Sequence, residues 1–234
     1  MISLEGINLT AGYGGVDIIK NINLQVKQGE IAVIVGPNGA GKSTAMKALL
    51  GMLKLSDGSV KFAQDEITSM LPQDRVNLGI AFVPQTQNVF TGMSVQENLE
   101  MGGFIRDDNI SLTIEDIYNL FPILKKKRNQ NAGELSGGQR QQVAFGRALM
   151  TQPKILMLDE PTAGVSPIVM DELFSRIIEV GKTGVGILMV EQNAKQALNI
   201  ADRGYVLVNG KHSREGSGQD LLNNPEVRKS FLGG

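Results

Sequence analysis

The segment Ile31-Ala-Val-Ile-Val-Gly-Pro-Asn-Gly-Ala-Gly-Lys-Ser43 decides the fold of this chain. Its first five residues are apolar without alternation, which is typical of a strand buried on both faces of a parallel sheet. The next eight match the pattern of glycine, four residues, glycine, lysine and serine, which cradles phosphates between a strand and a helix. The segment therefore predicts an α/β protein that binds a nucleoside phosphate.

The predicted phosphate loop offers three kinds of contact. Its glycines let successive backbone N–H groups turn inward around a β-phosphate, and the helix that begins near Ser43 adds the positive end of its dipole. Lys42 can reach the β- and γ-phosphates, and the Ser43 hydroxyl can ligate Mg²⁺. The alternative is a glycine-rich turn with a solvent-facing lysine, and the complete match between a strand and a helix disfavours it.

Two carboxylates follow a second apolar run, in Lys154-Ile-Leu-Met-Leu-Asp-Glu160. A strand of this kind in the same sheet would bring Asp159 beside the phosphate loop, where it can hold Mg²⁺ through water. Glu160 would then be left to polarise an attacking water. The alternative is a strand that ends in solvated acids, which the neighbouring phosphate loop makes less favourable.

The segment Leu135-Ser-Gly-Gly-Gln-Arg140 predicts a second anion site. Ser136 and Gln139 form a capping box that opens a helix running towards Met150, with Ser136 as the N-cap. Exposed N–H groups at such a helix start, together with a serine hydroxyl, bind anions. Because the first loop already holds one nucleotide, the simple resolution is a dimer in which each chain's second site closes on the other chain's nucleotide.

The remaining pattern alternates between strands and helices. Apolar and polar residues alternate at 22–26, which predicts a strand with one buried face, and a hairpin turn is predicted at Gln28-Gly-Glu30. Further strands are predicted at 58–62, 80–83, 155–158, 186–190 and 205–208. Helices are predicted from about 94 to 150, with capping boxes at Ser94 and Thr113, and at 167–180 and 194–201. This order favours a parallel sheet wrapped by helices.

Composition excludes several classes of function. The chain of 234 residues carries a net charge of −1 and no cysteine. Bulk charge thus gives no reason to expect a nucleic-acid partner, and disulfides and cysteine-based sites are excluded. The first residues lack a signal-peptide pattern, and no apolar run approaches the ~18 residues that a bilayer span needs. If the protein works at a membrane, we expect it to act through a partner.

Three of these segments together resemble the ATP-binding subunits of ABC transporters: Gly36 to Ser43, Leu135 to Gln139, and Ile155 to Glu160. The resemblance covers essentially the whole chain. It implies a single ABC ATP-binding domain over residues 1–234, with a P-loop NTPase (RecA-like) α/β core, an antiparallel β subdomain and a helical subdomain inserted at about 88–148. ATP and Mg²⁺ are the implied cofactors, and the implied activity is ATP hydrolysis coupled to transport.

The resemblance also assigns roles to individual residues. Glu160 is the implied catalytic carboxylate, and Gln192 stands at the switch position beside it. Tyr13 looks like the aromatic residue that stacks on adenine, with ordinary packing as the alternative, and Gln85 is similar to the glutamine that touches Mg²⁺ and links the nucleotide to the helical subdomain. The implied ATP-binding residues are Tyr13, Gly36, Pro37, Asn38, Gly39, Ala40, Gly41, Lys42, Ser43, Thr44 and Gln85, the implied Mg²⁺ ligands are Ser43, Gln85 and Asp159, and the implied contacts to the partner's nucleotide are Ser136, Gly137, Gly138 and Gln139.

Two positions depart from the usual pattern of the family. Ser166 replaces an aspartate that helps to organise the dimer interface, and Gln192 replaces the switch histidine. The glutamine amide can donate a hydrogen bond but cannot usefully accept and release a proton, so proton shuttling at this position is excluded. The substitution is consistent with slower hydrolysis and with pairing to a sibling subunit that keeps the histidine.

Smaller segments at 98–104, 190–194, 201–205 and 224–228 resemble the ATP-binding subunits of branched-chain amino acid importers that carry this glutamine. A urea importer of the same group and a non-transport, ATP-dependent assembly or regulatory module are the alternatives. The implied partners are transmembrane permease subunits, a second ATP-binding subunit (sibling or self) in a head-to-tail dimer and, indirectly, an extracytoplasmic solute-binding protein, with no nucleic acid. The implied location is peripheral, at the cytoplasmic face of the cell membrane.

Two basic features are interpreted as structural. His212 follows a predicted strand, which indicates a turn residue. The run Lys125-Lys-Lys-Arg128 follows a helix and is typical of a solvated C-terminal turn that the helix dipole favours. Contact of this run with lipid headgroups or with a transporter is the alternative.

Overall fold

The computed structural model describes residues 2–232. The strands are β1 (Ser3–Tyr13), β2 (Val16–Lys27), β3 (Ile31–Val35), β4 (Leu55–Phe62), β5 (Asp65–Glu66), β6 (Ile80–Val83), β7 (Ile155–Asp159), β8 (Gly186–Val190), β9 (Arg203–Val208) and β10 (Lys211–Gly216). The α-helices are α1 (Lys42–Leu49), α2 (Pro72–Asn77), α3 (Val95–Gly102), α4 (Ser111–Leu120), α5 (Pro122–Lys126), α6 (Gly137–Leu149), α7 (Pro167–Lys182), α8 (Ala194–Asn199), α9 (Gly218–Asn223) and α10 (Pro225–Val227). Ala132–Glu134 forms a 3₁₀ turn, and Arg228–Leu232 a π-helical turn. Among residues 2–232, no helix is both long and apolar enough to cross a membrane.

The larger sheet has the strand order β10-β9-β3-β8-β7-β6. All of its neighbouring strands pair in parallel except β10, which runs antiparallel to β9 at one edge. Every residue of β3, β7 and β8 is buried, as their unbroken apolar runs require. Because these three strands are parallel neighbours, the segments that follow them meet at one edge of the sheet, and the predicted α/β core is confirmed.

The smaller sheet is antiparallel, with the order β2-β1-β4-β5. The turn after β2 exists, since the Glu30 N–H donates to the Lys27 carbonyl over 3.0 Å. The predicted hairpin is nevertheless wrong, because β2 and β3 belong to different sheets. The apolar residues of β2 alternate, so this strand has one face to bury. The wholly apolar β3 must be covered on both faces, which requires the interior of the larger sheet. Tyr205 joins the two sheets, since its hydroxyl accepts from the Gln25 N–H over 2.9 Å.

Four helices, α3 to α6, lie between β6 and β7 in the chain. The capping box of Ser94 is confirmed at the start of α3. The one predicted at Thr113 is wrong: α4 begins at Ser111, and the Thr113 hydroxyl accepts from Arg106 over 2.9 Å instead. A Cβ at Gly146 would lie 2.8 Å from Ile117 Cγ2, so this glycine lets α6 approach α4. Assignment of residues 88–148 as a separate subdomain stays a prediction.

The prediction that His212 is a turn residue is wrong. His212 lies in β10, where its ring makes an edge contact with Tyr205 at a centroid distance of 5.5 Å. Its Nε2 atom also lies within hydrogen-bond distance of the Asn23 carbonyl oxygen. The edge strand β10 was not predicted, because its polar residues lack the apolar alternation that marks a half-buried strand.

Arg75 is a charged side chain with only 1% of its surface exposed. Its guanidinium donates to four backbone carbonyls, those of Leu49 at 2.5 Å, Ile67 at 2.7 Å, Thr68 at 2.9 Å and Met70 at 3.1 Å. Burial lowers the pKa of this guanidinium. The Leu49 carbonyl belongs to the last turn of α1, where a cation also interacts favourably with the helix dipole. Arg75 therefore anchors the end of α1 that lies opposite the phosphate loop.

Candidate functional site

The phosphate loop connects β3 to α1, as predicted. Gly41 is the residue before the helix and has a φ of 94°, a left-handed conformation that favours glycine. A Cβ at Gly36 would lie 2.2 Å from the Leu207 carbonyl oxygen, so the chain also needs a glycine there. Lys42 folds back over the loop, and its Nζ donates to the carbonyls of Gly36 at 3.0 Å and Pro37 at 3.2 Å.

The loop forms one wall of a cleft of about 410 Å³. The other walls come from β2, from the segment after β6 and from the ends of β7 and β8. The residues that line the cleft are Ile18, Asn38, Gly39, Ala40, Gly41, Lys42, Ser43, Thr44, Gln85, Glu160 and Gln192. The structure thus brings together most of the side chains that the sequence pointed to, across more than 150 positions of the chain. Three of the predicted ATP-binding residues do not line it, namely Tyr13, Gly36 and Pro37.

Tyr13 stands at the end of β1, with 48% of its surface exposed. The Lys47 ammonium lies 5.9 Å from the centroid of its ring, close enough for a weak cation–π contact. Its exposed face is compatible with stacking on a base, and that role stays a prediction.

Asp159 ends β7 directly behind the phosphate loop. The Ser43 hydroxyl donates to its Oδ1 over 2.9 Å, and only 5% of the residue is exposed. Burial raises the pKa of Asp159, against the opposing effects of the Ser43 hydrogen bond and of the charges on Lys47 and Lys42. A cation bound here would favour the ionised form further.

The donor set at this position fits Mg²⁺. Ser43 and Asp159 offer a hydroxyl and a carboxylate oxygen within 2.9 Å of each other. The Gln85 amide donates from Nε2 to Glu160 Oε2 over 2.7 Å, which leaves its carbonyl oxygen as the atom for a cation. Oxygen ligands of this kind are the ones that Mg²⁺ prefers.

Glu160 has a backbone conformation that its sequence pattern does not reveal. Its φ is 48°, in the left-handed region that residues with a Cβ rarely occupy, at a cost of about 1–3 kcal/mol. The Glu160 N–H donates to the Val190 carbonyl over 2.9 Å, so the sharp turn after β7 is tied to β8. This turn directs the carboxylate into the cleft, where it accepts the hydrogen bond from Gln85.

Gln192 lines the cleft, and the residue before it is a buried acid. Glu191 has 2% of its surface exposed. Its carboxylate accepts from the Thr162 N–H at 3.0 Å, the Thr162 hydroxyl at 2.8 Å and the Gln192 N–H at 3.2 Å. Burial raises the pKa of Glu191, and these hydrogen bonds, with one from the Asn193 backbone, oppose that shift. Sequence reasoning missed Glu191, although an acid directly after a wholly apolar strand was a visible signal.

The predicted capping box is confirmed at the start of α6, and its role as a second anion site stays a prediction. Ser136 and Gln139 form the capping box, with both side-chain to N–H distances at 3.3 Å. Gly137 leaves the approach open, whereas a Cβ at Gly138 would lie 2.5 Å from Val169, so Gly138 serves packing against α7. None of residues 136–139 lines the cleft described above.

The basic run before α6 is only partly solvated. Lys125 and Lys126 are exposed at the end of α5, as predicted. Lys127 departs from that prediction: it is half-buried, and its Nζ donates to Gln139 Oε1 over 3.2 Å. The contact places a positive charge beside the capping box, where an anion would be bound.

A buried hydrogen bond connects the segment after Gln85 to α6. Asn88 Nδ2 donates to Gln141 Oε1 over 2.7 Å, and the two residues have 8% and 9% of their surfaces exposed. Because Gln141 lies two residues beyond the capping box, this bond joins the segment that follows Gln85 to the helix that carries the second predicted anion site.

Asn88→Ala and Gln141→Ala are each expected to lower the free energy of unfolding by about 1–3 kcal/mol, because each leaves a buried polar group without its partner. The double variant is expected to lose less than the sum, with a coupling energy of about 0.5–3 kcal/mol. Urea denaturation of the four proteins measures this cycle. Asn119→Ala, an exposed change on α4, serves as the control and should stay within about 0.5 kcal/mol of the parent. Strict additivity would contradict the assigned bond.

Comparisons of sequence and of structure with known proteins point to the same family. The sequence pattern of the ABC transporter family matches residues 19–163. The high-affinity branched-chain amino acid transport ATP-binding protein BraG of Pseudomonas aeruginosa is 42% identical, over 95% of this chain and 96% of its own. The probable branched-chain amino acid transport ATP-binding protein LivF of Archaeoglobus fulgidus is 38% identical, over 98% of each chain. A solved structure, the ADP conformation of MJ1267, an ATP-binding cassette of an ABC transporter, matches 100% of both chains with a TM-score of 0.86 at 31% identity.

Proposed function

This chain belongs to the ABC transporter family of ATP-hydrolysing cassettes, and we propose that it powers a membrane importer of branched-chain, hydrophobic amino acids. The observation that carries the enzymatic part is the cleft in which Gln85, Glu160 and Gln192 face the phosphate loop. The substrate class rests on similarity to BraG and LivF, both of which are named as branched-chain amino acid transport ATP-binding proteins. The direction of transport rests on the resemblance of the segments at 98–104, 190–194, 201–205 and 224–228 to importer subunits.

In the proposed reaction, the backbone N–H groups of the phosphate loop and the Lys42 ammonium hold the β- and γ-phosphates of ATP. The Glu160 carboxylate, already aimed into the cleft, polarises the water that attacks the γ-phosphate. Ser43, Asp159 and Gln85 would hold Mg²⁺, which when bound neutralises charge on the β- and γ-phosphates. The Gln85 hydrogen bond to Glu160 keeps the cation site and the carboxylate in a fixed relation.

Gln192 takes part as a hydrogen-bond donor only. Its side chain lines the same cleft as Glu160, and its amide does not change its charge near neutral pH. It can position the γ-phosphate or the water, and the proton chemistry is left to Glu160.

Gln192→His is expected to raise the ATPase rate by about threefold to tenfold, below the ~10²-fold that a fully used general acid or base contributes. The reason is that imidazole adds a titratable group beside the γ-phosphate. Steady-state phosphate release at saturating MgATP measures the change. Gln73→His, an exposed position on α2, adds the same side chain outside the cleft and should leave the rate unchanged. A large loss of activity in Gln192→His would contradict the proposed role.

We further propose a head-to-tail dimer with a second copy or a sibling subunit. The second anion site does not line the chain's own cleft, so a nucleotide can reach both sites only when another subunit supplies one of them. In a two-fold arrangement, the cleft of each subunit faces the second anion site of the other, so both nucleotides reach both kinds of site. Lys127, beside the capping box, would add a positive charge to each of the two composite sites.

A groove of about 280 Å³ between β6, α3 and α6 is the proposed contact for the permease. Phe90, Met101 and Phe104, which line it, have 45%, 43% and 81% of their surfaces exposed. The Arg147 guanidinium lies 4.8 Å from the centroid of the Phe90 ring and forms a wall of the groove. Contiguous apolar surface of this kind marks an interaction site. It would hold the chain at the cytoplasmic face of the membrane, with a solute-binding protein acting on the permease from the other side.

The transport proposal is tested by purifying the complex from membranes and reconstituting it in vesicles with its solute-binding protein and internal ATP. Co-purified multispanning subunits and ATP-dependent uptake of leucine are expected. Uptake of urea in place of leucine would reassign the substrate to the alternative importer. If no multispanning subunit co-purifies, the transport proposal is rejected in favour of the ATP-dependent assembly or regulatory module.

A further inference from the structure

A buried carboxylate outside the proposed reaction connects three segments of the site. Glu191 follows β8, and its own N–H donates to the Ile34 carbonyl over 3.2 Å, at the end of the strand that leads into the phosphate loop. Within residues 2–232, no lysine or arginine forms a salt bridge with it. Its two carboxyl oxygens instead accept hydrogen bonds from two loops, which satisfies the polar atoms of a buried side chain without an ion pair.

The first of these loops carries Glu160. Glu191 Oε1 accepts from both the N–H and the hydroxyl of Thr162, at 3.0 and 2.8 Å, and Thr162 has 4% of its surface exposed. Thr162 lies within the tight turn that the Ala163 N–H closes on the Glu160 carbonyl over 3.0 Å. Holding Thr162 therefore holds the turn that keeps Glu160 at its positive φ.

The second loop carries Gln192. Glu191 Oε2 accepts from the Gln192 N–H over 3.2 Å. One carboxylate group thus uses one oxygen for the Glu160 turn and the other for the backbone of Gln192. Glu160 and Gln192, which line the same cleft, are thus fixed relative to each other through a side chain that does not line it.

We propose that Glu191 is a positioning residue for hydrolysis, which sets the mutual placement of Glu160 and Gln192 and so controls kcat while leaving ATP affinity largely to the phosphate loop. The inference rests on the proposed ATPase function and adds to it a residue that is absent from the cleft wall. A role in the stability of the core alone would lower binding and turnover together, and the two roles are therefore separable.

Glu191→Gln is the informative substitution, because it keeps the shape of the side chain. An amide has one acceptor oxygen and one NH₂ group, so one of the two loops must face a donor where it now meets an acceptor. Thr162→Val removes the hydroxyl with little change in shape, and Thr162→Ser keeps the hydroxyl. If Glu191→Gln fails to fold, the two Thr162 variants test the same hydrogen bond from its other partner.

The test measures kcat and KM for MgATP hydrolysis, together with the dissociation constant for ATP. In Glu191→Gln and in Thr162→Val, kcat is expected to fall about tenfold, with KM and the dissociation constant within about twofold of the parent. Thr162→Ser is expected to keep most of the parent kcat. The double variant Glu191→Gln with Thr162→Val is expected to lose little more than either single variant, because both remove the same contact.

An unchanged kcat in Glu191→Gln, or a loss of ATP affinity as large as the loss of kcat, would overturn the positioning role. If Glu160→Gln still reduces hydrolysis in the same assay, the proposed ATPase function stands while this inference falls. If the parent protein binds ATP without hydrolysing it, both fall together.

Discussion

Glu160→Gln is expected to reduce the rate of ATP hydrolysis by about 10²- to 10⁴-fold, the range that a general base contributes. Glutamine has nearly the shape of glutamate and keeps an oxygen that can accept the hydrogen bond from Gln85, which in the parent spans 2.7 Å. It lacks the negative charge that polarises the water. Binding of MgATP depends on the phosphate loop and is expected to persist.

Single-turnover measurement of phosphate release gives the rate, and size-exclusion chromatography in MgATP shows whether the unreacted nucleotide holds two chains together. We expect the variant to accumulate as the proposed head-to-tail dimer, since the nucleotide that bridges the two subunits is hydrolysed too slowly to release them. Glu66→Gln makes the same chemical change at an exposed position on β5 and should behave as the parent. A Glu160→Gln rate within threefold of the parent would place the base elsewhere.

Arg75→Ala is expected to lower the free energy of unfolding by about 3–5 kcal/mol. The change leaves four backbone carbonyls without their donors and opens a cavity where the side chain was 1% exposed. Each unsatisfied buried group costs about 1–3 kcal/mol before the structure relaxes, and the lost volume adds a further term. Arg75→Lys keeps the charge but offers only three donors to the four carbonyls, so we expect it to be intermediate.

Urea denaturation of the Ala, Lys and parent proteins measures this series. Arg214→Ala removes an arginine whose side chain is 40% exposed and pairs with Glu226. Because exposed ion pairs contribute about 0–1 kcal/mol, it is the matched control. A loss below about 1 kcal/mol in Arg75→Ala would mean that water replaces the guanidinium at low cost.

Features encoded by neighbouring residues could be predicted from the sequence. The phosphate loop, the capping box at Ser136 and the acids after β7 each combine a local pattern with a strand or helix of clear periodicity. The phosphate loop and the acids converge on one edge of the sheet because three apolar strands pair in parallel. The placement of the phosphate loop and Glu160 in one cleft was therefore expected from local signals and a single topological rule, whereas Ser136 lies outside that cleft.

Features that depend on distant partners could not be predicted. Arg75 bonds to Leu49, 26 positions away, and Glu191 bonds to Thr162, 29 positions away. A charged residue in a short polar segment is normally solvated, so only the tertiary structure shows that Arg75 is buried. The position of Glu191 after a wholly apolar strand was a signal, but it does not reveal that Thr162 is the partner. The hairpin after β2 was mispredicted for a related reason, because a turn signal does not say which sheet the next strand joins.

The left-handed backbone of Glu160 sets stability and turnover against each other at one position. Glycine is the residue that this φ suits best, since it carries no Cβ. A search for heat-resistant variants that ignored activity would tend to enrich glycine at position 160 and would select a more stable protein that hydrolyses ATP far more slowly. Glutamate at this position therefore marks a site where the chain is less stable than it could be, as is common where activity requires a strained residue.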